Sequence, residues 1–164
     1  MQSTLRVVAS WVIVAWTCKV FLFSLPYKFS RHPDTQHIFG TIGEWMQGIF
    51  GYTLGRLFSD YGPFVVGSFE LLTSLVLLAP LLLWCLVRLG ANPRGWTRMH
   101  LHRIGGLMAS AVMLGAVFFH LFTPLGIEVL HEGESDGGSL FYAALSILVL
   151  GVVLFLINPV KTPR

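Results

Sequence analysis

Cysteine is nearly absent. The chain has only Cys18 and Cys85 and no Cys-x-x-Cys pair, which removes the paired-thiol chemistry on which four-helix membrane thiol oxidases run. Both cysteines fall inside apolar stretches, Cys18 in the outer half of the first and Cys85 at the inner end of the second, and at about 1.5 Å per helical residue they lie roughly 20 Å apart. A disulfide needs Cα atoms within about 7 Å, so both are expected to be free and to act as small apolar packers. No glycine-rich nucleotide loop is present either. Charge is scarce: Asp, Glu, Lys and Arg make up 12% of 164 residues, against 54% hydrophobic, and the mean hydropathy is +0.71. This balance excludes an ordinary soluble domain and is that of an integral membrane protein.

What is present is four continuous apolar stretches, at residues 7–25, 64–87, 104–122 and 140–157. Each approaches the roughly 20 residues that a helix needs to cross about 30 Å of hydrocarbon. Strands of a transmembrane barrel would be shorter and alternating. The expected fold is therefore all-α, one membrane domain over residues 1–164 arranged as a four-helix bundle. Arg6 ahead of an apolar run imitates a secretory signal, but no small-x-small cleavage site follows, so the first span is expected to remain as an uncleaved helix. Gly105, Gly106, Ala109, Ser110, Ala111, Gly115 and Ala116 give the third span a face of small residues, the kind that lets membrane helices approach closely. The fourth span has no ionisable group and is expected to close the bundle or face lipid.

The connection from Pro26 to Pro63 is too long and too apolar for a plain loop. Ile38, Phe39, Ile42, Trp45, Met46, Ile49, Phe50, Leu54, Leu57 and Phe58 recur at helical spacing, after a turn and helix start at Pro33-Asp34. Gly43, Gly48, Gly51 and Gly55 weaken that helix, and the spacing predicts an extra amphipathic segment between the first two spans that lies in the outer membrane interface or dips back among the helices. Residues 124–138 are acidic and glycine-rich, with a flexible tip predicted at His131 to Glu134.

Charge sets the orientation. With an even number of spans, both termini and the middle connection share one side, which collects Arg6, Arg88, Arg94, Arg98, Arg103, Lys161 and Arg164 without an acidic residue. By the positive-inside rule that side is cytoplasmic. Trp84 and Trp96 belong at the same interface. The other side mixes Lys28, Arg31 and Arg56 with Asp34, Glu44, Asp60, Glu128, Glu132, Glu134 and Asp136. The isoelectric point of about 9.1 thus reports topology in an inner, or plasma, membrane, and no nucleic-acid partner is implied.

Lys19, Glu70 and His120 are ionisable groups inside three different spans. Counted from the outer ends of their spans, Lys19 and Glu70 are each about six residues in, or about 9 Å deep, and His120 about 3 Å below the same surface. A Lys–Glu pair at one depth lowers the penalty of both charges, and intramembrane ionisable groups mark functional sites. The site expected is an outer-leaflet polar pocket for a quinone or another small redox ligand, placed near Glu70, His120 and the Ile38 to Phe50 segment. A structural ion pair is its alternative. Haem is disfavoured because His120 is the one histidine inside a predicted span. His100 and His102, two residues apart, suit an interfacial polar role, His32 a loop, and no metal site is expected.

Leu25-Pro26-Tyr27-Lys28-Phe29, then His32-Pro33-Asp34 and His37-Ile38-Phe39-Gly40, resemble the first outer connection of the DoxX family of small four-helix membrane proteins. The likeness continues through Glu70-Leu71-Leu72, Ala79-Pro80, Phe118-Phe119-His120-Leu121, Leu125-Gly126-Ile127-Glu128-Val129 and Asp136-Gly137-Gly138, over nearly the whole chain. Related proteins include subunits of thiosulfate:quinone oxidoreductase. The resemblance implies polar positions at Lys28, Glu70 and His120, and an accessory subunit of a quinone-linked electron-transfer system within a larger membrane complex. The chain departs from the pattern in a long, arginine-rich cytoplasmic connection and an added acidic run from Glu132 to Asp136. Without a cysteine pair, haem pair or nucleotide loop, it is not expected to carry redox chemistry alone. The alternative is a structural or assembly subunit that docks a larger complex without a ligand.

Overall fold

The computed structural model describes residues 4–90 and 97–159; Arg94, Trp96, Lys161 and Arg164 lie outside them. Helices α1 (Thr4–Phe29), α3 (Tyr52–Arg88), α4 (Arg98–Phe122) and α5 (Ser139–Ile157) are long and apolar enough to cross a membrane. Helix α2 (Pro33–Phe50) is the fifth. Among the described residues the only strands are β1 (Leu130–His131) and β2 (Glu134–Ser135), a two-residue antiparallel pairing. The tip predicted to be flexible is therefore a paired turn.

Helix α2 begins where Pro33-Asp34 predicts, with His32 Nδ1 facing the Asp34 N–H at 3.4 Å as the N-cap. His32 is thus a cap, and not a plain loop residue. Gly51, at φ +89, ends α2 and starts α3. The expected second span, residues 64–87, accordingly lies within a longer, 37-residue helix that carries Pro63 and Pro80 inside it. At about 1.5 Å per residue α3 is roughly 55 Å long, well beyond one hydrocarbon thickness.

Helix α1 packs on α3 and α5, and α4 packs on the same two. Glycine brings α4 and α5 together: a Cβ on Gly106 would lie 2.6 Å from the Gly151 carbonyl oxygen, and one on Gly151 would strike Ser110 Oγ. Gly105 likewise admits Leu77 of α3. Gly115 meets nothing and stands off the packing face, whereas Ala116 packs against the core. One core cluster joins Phe21, Met113, Val117, Phe141 and Ile147, and a second joins Val14, Cys18, Leu77 and Leu154. Large apolar side chains such as Val12, Phe23, Leu72, Leu75, Leu114 and Val149 cover the outside, a surface suited to lipid. Cys18 is a buried packer as expected, whereas Cys85 is exposed among these outward apolar groups.

At the end of the molecule where α1 and α4 start and α5 stops, Asn158 is fully buried. Its amide donates to Ser10 Oγ and to the Leu154 carbonyl, both at 2.9 Å, and its Oδ1 accepts from Arg98 Nη1 at 3.3 Å. His102 is fully buried beside it, edge-on to Trp11 at 4.8 Å between ring centroids. It is a core histidine of α4, which starts at Arg98, and so its side chain lies inside the bundle.

Candidate functional site

Lys28 lies in the last turn of α1, and its side chain turns back along the helix. Nζ donates to Ser24 Oγ at 2.8 Å and meets Glu70 Oε2 of α3 at 2.9 Å, and Ser24 Oγ donates to the same Glu70 oxygen at 2.7 Å. The result is a closed triangle of charge-assisted bonds, with the Glu70 side chain 4% and the Lys28 side chain 15% exposed. Two donors of the ammonium are used. Its third N–H and Glu70 Oε1 have no protein partner among the described residues.

Lys19 takes no part in this pairing. It is exposed on the other side of α1, with Nζ 5.8 Å from the centroid of the Trp16 ring, so the Lys19–Glu70 pair expected from equal depth does not form. Nine residues separate Lys19 from Lys28, about two and a half helical turns, which puts them on opposite faces. Equal counting depth along two spans thus does not select the partner of Glu70; the face of α1 does.

His120, in the last turn of α4, is 8% exposed and edge-on to Phe141 at 5.7 Å. Its Nδ1 is 2.7 Å from the Gly126 carbonyl oxygen. A carbonyl only accepts, so Nδ1 carries the proton and Nε2 of the neutral ring presents a lone pair. Gly126 has φ +72, a left-handed conformation that suits glycine and turns the chain after α4 back toward the ring.

Lys28, Glu70 and His120 line one cavity of about 430 Å³ enclosed by α1, α2, α3, α4 and α5. The rest of its wall is mainly apolar, including Val20, Phe23, Ile38, Phe39, Met113 and Phe119. This volume is within the range of small-molecule sites, about 300–1,000 Å³. Of the four expected site residues the fold thus brings three together and leaves out Lys19.

Ser24, Thr35 and Asp34 also line the cavity and were not anticipated. Ser24 has a signal in the sequence, its i,i+4 spacing to Lys28. Asp34 has none, since its partner is His131, 97 residues away, with Nδ1 3.0 Å from Asp34 Oδ1. The His131 ring also stacks on His37 at 4.7 Å. The segment that carries His131 is held by Asp136, whose Oδ1 accepts from the Val129 and Gly138 N–H groups and whose Oδ2 accepts from the Leu140 N–H. Burial raises the Asp136 carboxyl, but these N–H groups and the Ser139 hydroxyl together hold it below the usual carboxylate range. Among the described residues no group of three or more His, Cys, Asp or Glu is arranged to hold a metal ion. Compared with known proteins, the chain matches no family model, no curated protein and no solved structure.

Proposed function

We propose that the chain is a four-helix, DoxX-like inner-membrane protein that serves as an accessory subunit of a quinone-linked electron-transfer system. In this proposal both termini are cytoplasmic. Helix α2 is the amphipathic segment at the outer interface, and the cavity takes a quinone-type headgroup from the outer leaflet. The observation that carries the proposal is the convergence of Lys28, Glu70 and His120 on one largely apolar cavity of about 430 Å³. A flat ring with an oxygen at each end needs apolar walls and polar groups at separate points. The free N–H of Lys28 suits a carbonyl oxygen, and the Nε2 lone pair of neutral His120 suits a hydroxyl, so the site has a partner for the oxidised and for the reduced headgroup. Any oxidation or reduction belongs to a partner subunit.

The test is native extraction from the membrane in lipid-retaining particles, followed by mass spectrometry of bound small molecules. Wild-type protein should retain a quinone that is lost from Glu70→Gln and His120→Phe variants still carrying all four helices. Comigration with a larger complex and no bound small molecule would instead select the assembly alternative, in which the Lys28–Glu70 pair only locks α1 to α3.

A further inference from the structure

A second cavity, of about 420 Å³, lies beside the first and shares Asp34, Ile38 and Leu140 with it. The rest of its wall is acidic and polar, with Glu132, Glu134, Asp136 and His131. Asp34 is therefore a carboxylate set in the partition between an apolar ligand chamber and an acidic vestibule, with its side chain 56% exposed. One of its oxygens meets His131 Nδ1 at 3.0 Å and the other lies 3.2 Å from His32 Nδ1.

We infer that Asp34 and His131 form a proton-exchange pair that connects the inner cavity to the outer aqueous face. This rests on the proposed ligand site, because a quinone-type headgroup gains or loses protons with its electrons, and those protons need a route through apolar walls. Each transfer conserves one proton. His120 Nε2 first accepts a proton from a ligand hydroxyl or water on its lone pair, and the imidazolium then releases that proton across the cavity, through the bound ligand or water, to the Asp34 carboxylate. The resulting carboxyl passes it to the free Nδ1 of His131 in its Nε2–H tautomer, and the imidazolium so formed releases its Nε2 proton to vestibule water, which leaves the Nδ1–H tautomer donating to the Asp34 carboxylate. Transfer inward reverses these steps. The groups around Asp34 suit exchange in both directions: His32 and His131 on its two oxygens, His37 stacked on His131, Lys28, Glu70 and His120 on the cavity side, and Glu132, Glu134 and Asp136 on the vestibule side. The vestibule carboxylates concentrate protons at its mouth.

The alternative role of the Asp34–His131 contact is a latch that ties the segment after α4 to α2. Exchange kinetics separate the two. In full-length protein labelled with nitrogen-15 at histidine, nuclear magnetic resonance gives the rate at which each imidazole exchanges protons with water. It also gives each titration midpoint, with buried His102 at the far end as an internal control. Asp34→Asn keeps an acceptor for His131 but cannot carry a proton. It should slow exchange at His120 at least tenfold while leaving the His120 midpoint and the His102 signal in place. His131→Gln should do the same and serves if Asp34→Asn does not fold. Unchanged His120 exchange in a folded variant overturns the inference, and so does a slowed rate matched by an equal change at His102. Neither outcome depends on a bound quinone, so a failed extraction experiment and a failed exchange experiment are distinguishable.

Discussion

Glu70 is the most deeply buried carboxylate of the site, and Lys28 is its counter-charge, so removing one partner strands the other in a largely apolar wall. Breaking such a pair from one side costs about 3–5 kcal/mol, whereas replacing both members by apolar residues of similar size is often neutral. Lys28→Met should therefore lower the unfolding temperature in detergent clearly. Glu70→Leu should lower it less, since the longer, 15% exposed Lys28 can swing its ammonium to water. The double variant should recover most of the loss, and thermal unfolding followed by tryptophan fluorescence checks that order. A loss in the double variant equal to the sum of the two single losses would mean that the pair is not coupled. That Glu70 and His120 are candidates for one shared cavity is legible in the sequence, because ionisable groups in apolar runs are conspicuous. The choice of Lys28 over Lys19 is not legible from depth. It depends on which face of α1 turns to α3, and Ser24, four residues before Lys28, marks that face.

Helices α2 and α3 touch through glycine, which changes the meaning of the glycines between residues 40 and 55. Read along the chain they only weaken a helix. Across the contact, a Cβ on Gly43 would lie 2.7 Å from the Gly55 carbonyl oxygen, and a Cβ on Gly55 would lie 2.8 Å from the Gln47 backbone nitrogen. Gly48 meets nothing. Gly43→Val and Gly55→Val should each part α2 from α3, expose the cavity wall at Ile38 and Ile42, and speed backbone hydrogen exchange over residues 33–50. Gly48→Ala should leave exchange unchanged or slow it, because replacing a helical glycine by alanine stabilises by about 0.5–1 kcal/mol. Similar behaviour of all three variants would contradict the close-approach geometry. The apolar periodicity that predicts a helix here cannot show that Gly51 divides it in two, because the stripe continues on both sides of the break. For the same reason the stretch from Tyr52 to Pro63 reads as connection, although it is the first third of α3.

Across the whole molecule, the polar groups separate to opposite ends. The cavity, the vestibule and their carboxylates gather where α1 and α4 finish, while Ser10, Arg98 and Asn158 tie α1, α4 and α5 together at the other end. Arg6, Arg88 and Arg103 belong to that second end by their positions at the start of α1, the end of α3 and the start of α4. The antiparallel course of the helices therefore gathers the described arginines of the basic set on one side, as counting spans requires. In the orientation proposed from the positive-inside rule, the vestibule faces outward. A membrane-impermeant maleimide checks this, applied to Glu132→Cys or Leu89→Cys in a chain whose two native cysteines are serine. Both positions are exposed, at opposite ends. Glu132→Cys should react in right-side-out vesicles and Leu89→Cys in inside-out ones. The reverse pattern would turn the cavity toward the cytoplasm, and any protons passed by Asp34 and His131 would then be exchanged with the cell interior.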